Sequence, residues 1–213
     1  MADTKISALS AVSSVAGTNE FAVNEAGTSK KASATQIAAF IAGKQTIYVP
    51  ASAMVSATTN GPSSAQLESA TNKLNYSTLD FDGTTQEFAH FQVAFPKSWD
   101  ESTVTFKAFW STTNTGTAGV AIGLQGIAAS DADTIDTAFG TAVYVTDAGQ
   151  SSAAKQYITA ESGAVTVGGT PAEGDLTYFR VTRDPSNGSD TMTEDMRLIG
   201  IQLFYTTNAT NDA

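Results

Sequence analysis

The sequence contains no cysteine and a single histidine, His90. Disulfides, thiol nucleophiles and thiolate-bound zinc are therefore excluded, and there is no histidine cluster to hold a transition metal. Oxygen-ligand sites for hard cations stay open. Basic residues are scarce: 11 Lys and Arg stand against 21 Asp and Glu, a formal net charge of -10. Nucleic-acid binding draws its affinity from clustered cations that release counterions from the phosphate backbone, and this chain has no basic stripe to do so. Long apolar runs are missing too, so no membrane-spanning helix is expected. The first residues, Met1 to Lys5, lack a positive leader, and Ile6 to Ala16 only weakly imitates a signal peptide.

What the chain does have is small residues. It carries 34 Ala, 31 Thr and 21 Ser in 213 residues, and Thr favours strands. With 41% hydrophobic residues, a 22.0 kDa chain can bury a genuine core, which argues against wholesale disorder. Charge divides it unevenly. Residues 1–45 hold four Lys and three acids, whereas residues 46–213 hold seven Lys and Arg and eighteen acids.

Residues 1–45 read as a docking segment. Glu20 to Asn24 alternates like a strand, Glu25 to Thr28 reads as a hairpin turn, and Ile37, Phe40 and Ile41 fall at helical spacing before a Gly43 stop. A hairpin and a short helix cannot enclose a core, so this unit should rest on another surface. Residues 46–74, with Ile47 to Pro50 and then Thr58 to Pro62, look like an extended linker followed by loop. Residues 75–213 alternate between apolar runs and turn signals.

Eight strands are expected at 88–95, 104–110, 120–127, 142–146, 155–159, 164–167, 176–182 and 198–206, with no crossover helices between them. That pattern predicts a mainly β fold: a jelly-roll-like antiparallel β-sandwich preceded by a small β-hairpin and a short helix. In the last strand Ile199, Ile201, Leu203 and Tyr205 share a face while Leu198 and Phe204 take the other. It is expected to be central or covered by another subunit. Thr191 to Glu194 matches a capping box and predicts one helical turn.

Several residues invite a chemical reading. His90 with Ser98 or Ser102 and an Asp could form a hydrolytic triad, but no nucleophile elbow accompanies them. Asp131, Asp133 and Asp136 superficially resemble a calcium loop, yet lack its glycine and closing glutamate, and read better as a polar turn. Asp175, Asp184, Asp190, Glu194 and Asp195 could supply a glycosidase pair. With Arg180, Arg183 and Arg197 close by in sequence, ion pairs that hold loops are the simpler expectation. Trp110 shares a face with Val104 and Phe106 and belongs in a core. Trp99, beside a Pro-containing turn, is the better candidate to stack on a sugar. The expectation is a protein without catalytic residues, cofactor or metal.

The ordered motifs Ile6-Ser-Ala-Leu9, Gly17-Thr-Asn-Glu-Phe21-Ala-Val23, Gly27-Thr-Ser-Lys-Lys31-Ala32 and Gln36-Ile37 resemble the N-terminal attachment segment of tailed-bacteriophage fibre proteins. From about residue 80 to 206, Phe95-Pro-Lys-Ser-Trp99, Val104 to Trp110 and Asp195 to Ile201 resemble the β-domain of fibre-like structural proteins from phages and gene transfer agents. The resemblance implies a virion structural protein, a homotrimer on the particle surface contacting capsid, portal or tail components. Because Asn208 to Ala213 ends soon after the last strand, a compact head fibre, spike or decoration protein is as well supported as a tail fibre. Docking is expected through Lys30, Lys31, Ile37 and Phe40. The alternative is a glycan-binding receptor module with Trp99 at its site, the partner then being a host surface glycan.

Overall fold

The computed structural model describes residues 14–41, 43–153, 155–209 and 212. The Ile6-Ser-Ala-Leu9 motif lies outside the described residues.

The segment opens as expected. Strands β1 (Glu20–Glu25) and β2 (Thr28–Ser33) pair antiparallel from Glu20 opposite Ser33 to Glu25 opposite Thr28. The turn residues Ala26 and Gly27 both have positive φ, 49° and 83°, as a tight two-residue hairpin loop requires. Helix α1 (Ala34–Ile41) follows at once. Ser33 Oγ accepts the Gln36 N–H at 3.1 Å, and Gln36 Oε1 accepts the Ser33 N–H at 2.8 Å. This reciprocal pair is a capping box. No such box forms at Thr191 to Glu194, where the chain is irregular. There the Thr191 hydroxyl accepts the Gly119 N–H and the Glu194 carboxylate accepts from the Asn114 amide, so tertiary partners displace the local helical turn.

Residues 46–74 are not a linker. They supply most of β3 (Lys44–Pro50), a short 3-10 turn at Ala51–Ala53, β4 (Val55–Ser56) and β5 (Ser63–Glu68), and the three strands pair into the sandwich. The boundary falls before Lys44. Gly43 donates to Thr207 Oγ1 and accepts from the Thr207 N–H, which fixes the start of β3 beside the end of the last strand.

Nine further strands complete the body: β6 (Asn75–Phe81), β7 (Glu87–Ala94), β8 (Thr105–Thr112), β9 (Gly119–Ala129), β10 (Val143–Ala148), β11 (Tyr157–Ile158), β12 (Val167–Gly168), β13 (Leu176–Arg183) and β14 (Met196–Thr206). One six-stranded sheet runs β10-β9-β13-β7-β4, with β12 added to β9. The other runs β11-β8-β14-β6-β5, with β3 added to β14. All pairs are antiparallel except β12 with β9. The result is the mainly β sandwich that the turn spacing predicts.

Between the sheets, alternate residues make the core. Ala89, Phe91 and Val93 from β7 meet Phe106, Ala108 and Trp110 from β8, together with Ile122, Leu124, Phe179, Val181, Ile201 and Leu203. Phe91 stacks on Phe179 with ring centroids 5.0 Å apart, and Trp110 on Tyr157 at 4.5 Å. Trp110 Nε1 donates to Asp147 Oδ2 at 2.9 Å, so its one polar atom is satisfied despite full burial.

In β14 the register shifts between Leu198 and Gly200. This bulge at Ile199 resets the alternation, so Leu198 faces the core along with Ile201 and Leu203, and Ile199 turns outward. The two-sided apolar pattern therefore arises within one chain. Phe204, still on the outer face, is covered by the Lys44 ammonium 4.6 Å from its ring centre. As expected, β14 is central, flanked by β8 on one side and by β6 and β3 on the other.

The loop from Asp184 to Asp195 is held by a buried ion pair. Arg183 is 0% exposed, and its Nε and one terminal nitrogen reach both oxygens of Asp190 at 3.0 and 2.8 Å. The remaining donors go to the carbonyls of Phe81, Glu194 and Met192. All five guanidinium N–H groups are thus used. Asp190 also accepts the Ala121 N–H, and Arg197 pairs with Asp80 at 3.4 Å. Arg183–Asp190 is the kind of loop-holding ion pair anticipated for the arginines, whereas Arg197–Asp80 joins β14 to β6, and Arg180 has no carboxylate partner among the described residues.

Candidate functional site

The outer face of the β10-β9-β13-β7-β4 sheet gathers the groups of chemical interest. Register sets them in rows. Tyr144, Gly123, Thr182 and Phe88 lie across one row, Gln125, Arg180, His90 and Val55 across the next, and Ile127, Tyr178 and Gln92 across a third. Alternation dictates this: Phe179 and Val181 enter the core, so Tyr178, Arg180 and Thr182 must point out. Gly123 gives Tyr144 room, since a Cβ there would come within 2.7 Å of its ring. On the opposite face Gly126 does the same for Phe179, at 2.8 Å.

The connection from Ser130 to Ala142 folds back over these rows. Its Phe139 ring lies 5.9 Å from His90, and the Arg180 guanidinium carbon sits 4.8 Å from Phe139 and 4.7 Å from Phe88. Gln125 ties loop to sheet. Its Nε2 donates to the Gly140 carbonyl at 3.0 Å while its Oε1 accepts from Arg180 Nε and Nη2 at 3.3 and 3.0 Å. Between loop and sheet is a hollow of about 430 Å³, lined by His90, Ile127, Ile135, Thr137, Phe139 and Tyr178 among others. A second hollow, of about 750 Å³, meets it at His90 and continues past Gln92 to Val55, Thr58 and Thr59. The two form a trough across the sheet: His90, Phe139 and Tyr178 bring rings to the first hollow, and Gln92, Ser56, Thr58 and Thr59 bring an amide and hydroxyls to the second. A further hollow of about 590 Å³ beside β5 and β6 is lined by Ser52, Ser64, Gln66, Ser77 and similar small groups, with neither a ring nor a charge.

Electrostatics on this face follow from partial burial. Desolvation, with Arg180 alongside, holds the His90 imidazole below its usual pKa and favours its neutral form. Burial, then Asp184, raises the Tyr144 phenol, which accepts from the Gln86 amide at 3.4 Å.

The residues expected from sequence fall in different places. Trp99 cannot stack on a sugar: it is 4% exposed, with its ring on Phe95 at 4.2 Å, and Phe95 in turn contacts Tyr205. Its Nε1 is buried without a partner among the described residues. The Pro96 turn folds the indole beneath β14 instead of presenting it. Neither Ser98 nor Ser102 lines the hollows that His90 borders, and the Ser102 hydroxyl donates to Asp100. Asp133 lines the hollow with Oδ2 accepting the Ser130 N–H, which makes it a turn residue. The proposed acid pairs are used structurally: Asp175 accepts from Ala172, Asp184 from Ser186, and Asp190 holds Arg183.

Near Arg183, Asp195, an acid singled out from sequence, gathers with Asp82 and Glu87, which the sequence reading did not weigh. Asp82 accepts from Thr84 and Thr85, chiefly through the Thr84 side chain, and is held below the usual carboxylate range. Burial pushes Glu87 and Asp195 above it, and each further feels Asp82. On the N-terminal unit, Lys30 and Lys31 pair with Glu25 and Glu20 of the same hairpin, whereas Phe40 is 91% exposed and Ile37 half-buried.

No family model matches the chain, and no curated protein does. Solved structures do, as β-sandwiches. A family 35 carbohydrate-binding module from Clostridium thermocellum shows 7% identity over 75% of this chain and 97% of its own, with a TM-score of 0.42. A family 11 carbohydrate-binding module from the same organism, in complex with a mixed-linked tetrasaccharide, shows 8% identity over 74% and 94%, with a TM-score of 0.42. The family 36 carbohydrate-binding module in complex with calcium and xylotriose shows 14% identity over 74% and 98%, with a TM-score of 0.37. The likeness is one of architecture, and no residue or ligand is carried across it.

Proposed function

We propose that the protein is a non-catalytic, glycan-binding β-sandwich module, with the trough on the outer face of the β10-β9-β13-β7-β4 sheet as its binding site. The observation that carries this reading is the composition of that face. Tyr178, Phe139 and His90 bring flat rings to the hollow, while Gln92, Thr137, Thr58 and Thr59 add hydrogen-bonding groups around them. A sugar ring has the matching character, with an apolar C–H face and a rim of hydroxyls. Two hollows that meet at His90 and run from Ile135 to Thr59 offer room for an oligomer instead of a single small ligand. This replaces Trp99 as the glycan contact and keeps the glycan as partner. The test is calorimetric titration with a panel of plant, bacterial and host oligosaccharides. Tyr178→Ala and Phe139→Ala, which remove partly exposed rings, should each weaken binding at least tenfold while the melting temperature holds. Unchanged affinity in both would refute the site.

A second role follows from the N-terminal unit, where Phe21, Val23 and Phe40 expose apolar surface while Lys30 and Lys31 are occupied within the hairpin. We propose that this unit fastens the module to a larger assembly through Phe40 and Ile37, a particle such as a virion being the assembly that its motifs suggest. Homotrimer formation and a place on the virion surface belong to this reading. A chain beginning at Gly43 should then fold normally and fail to join particles.

A further inference from the structure

The three arginines of the sandwich are treated unequally. Arg183 and Arg197 have carboxylate partners, Asp190 and Asp80. Arg180 has none among the described residues, in a chain whose acids outnumber its cations by ten. Among the described residues its only hydrogen-bond acceptor is the neutral Gln125 oxygen, which takes two of the five N–H groups and leaves three without an acceptor there. The half-buried guanidinium packs against the Phe88 ring and against Phe139, which lines one hollow, in the sheet row beside His90, which borders both. Burial disfavours its charged form, so the fold bears a cost there that no carboxylate offsets. Asp133, which lines the hollow, and Asp184, which acts on Tyr144, are engaged in their own loops, with Ser130 and Ser186.

We propose that Arg180 is the anion-recognition residue of the glycan site, and that the ligand is an acidic saccharide carrying a carboxylate or a sulfate ester. This rests on the glycan-binding reading and specifies its substrate class. The chemistry fits. A guanidinium held by Gln125 and two rings is already oriented, so little side-chain entropy is lost when an oxyanion takes its free donors in the forked geometry. The net charge of -10 does not forbid it. At physiological salt the screening length is about 8 Å, so remote acids contribute little and the contacting cation decides.

The experiment titrates the full chain with three hexasaccharides at 0.15 M salt: oligogalacturonate, the same material with its carboxyls reduced to alcohols, and a sulfated galactan. At least one acidic sugar should bind tenfold or more tighter than the reduced one, as a charge-assisted contact implies. Which acidic sugar does so separates carboxylate from sulfate. Arg180→Gln should bring the acidic sugar down to the level of the reduced one without changing the latter, and Arg180→Lys should restore part of the preference. Melting temperature checks that the variants fold. Equal binding of acidic and reduced sugars, or a preference that survives Arg180→Gln, overturns this inference and leaves the glycan site standing. Failure of all three to bind, together with a blank broader panel, overturns both.

Discussion

Asp190→Asn is the sharpest test of how the sandwich holds the loop from Asp184 to Asp195. The substitution keeps the shape and one acceptor oxygen but leaves the Arg183 charge uncompensated at a site with 0% exposure. It also removes one of the two oxygens that accept from Arg183 and the acceptor of the Ala121 N–H. Breaking a buried pair by removing one partner costs about 3–5 kcal/mol, a large share of the roughly 5–15 kcal/mol that holds a domain together. For a chain of this size each kcal/mol shifts the melting temperature by about 2–4 °C, so a drop on the order of 10 °C is expected. Urea unfolding followed by circular dichroism should show the midpoint falling while the slope stays constant. A loss under about 1 kcal/mol would refute the reasoning, because it would mean that the three carbonyls of Phe81, Met192 and Glu194 suffice for the guanidinium. Arg183→Met with Asp190→Asn separates the two costs, since it removes the charge together with its partner.

Three other outcomes are expected. His90 is held below its usual pKa in the fold, so the unfolded chain takes up its proton first and stability falls as pH drops below about 6.5. The stability difference between wild type and His90→Gln should shrink in that direction. Glu87 and Asp195, raised by burial, act with the opposite sign and cancel in this difference, whereas a flat difference between pH 7.5 and 5 would contradict it. Trp99→Phe keeps the stack on Phe95 and removes an unpartnered buried N–H, so it should cost under about 1.5 kcal/mol and leave glycan binding intact, while Trp99→Ala should cost about 3–5 kcal/mol. A chain beginning at Gly43 should match the full chain in thermal stability, whereas one beginning at Thr46, which loses two residues of β3 and the Gly43 bonds to Thr207, should melt lower. Equal melting of the two would show that β3 contributes little to its sheet.

The class of fold and most of the core were legible in the amino-acid pattern. Alternation over Phe88 to Phe95 and Val104 to Trp110 put Phe91, Val93, Phe106 and Trp110 inside, because a strand's period of two leaves no other face for them. The hairpin and helix were legible for the same local reasons, turn chemistry and apolar spacing. Tertiary structure decided the rest. The short strands β3, β4 and β5 carry weak alternation and exist because β14, β7 and β6 offer open edges to pair with. The bulge at Ile199 overruled the simple alternation of β14, since one extra residue moves each later side chain to the other face. The candidate site was hidden for a related reason. Tyr178 and Arg180, Gln125, His90 and Phe139 come from three strands and a loop separated by up to 90 residues, and each looks ordinary in its own segment. Only the register of β9, β13 and β7, with the return of the Ser130 to Ala142 loop, brings them onto one face. Likewise nothing local distinguishes Arg180 from Arg183, three residues apart in one strand. An odd spacing along the pleat sends one into the core to meet Asp190 and leaves the other on the outer face beside His90, with donors to spare among the described residues.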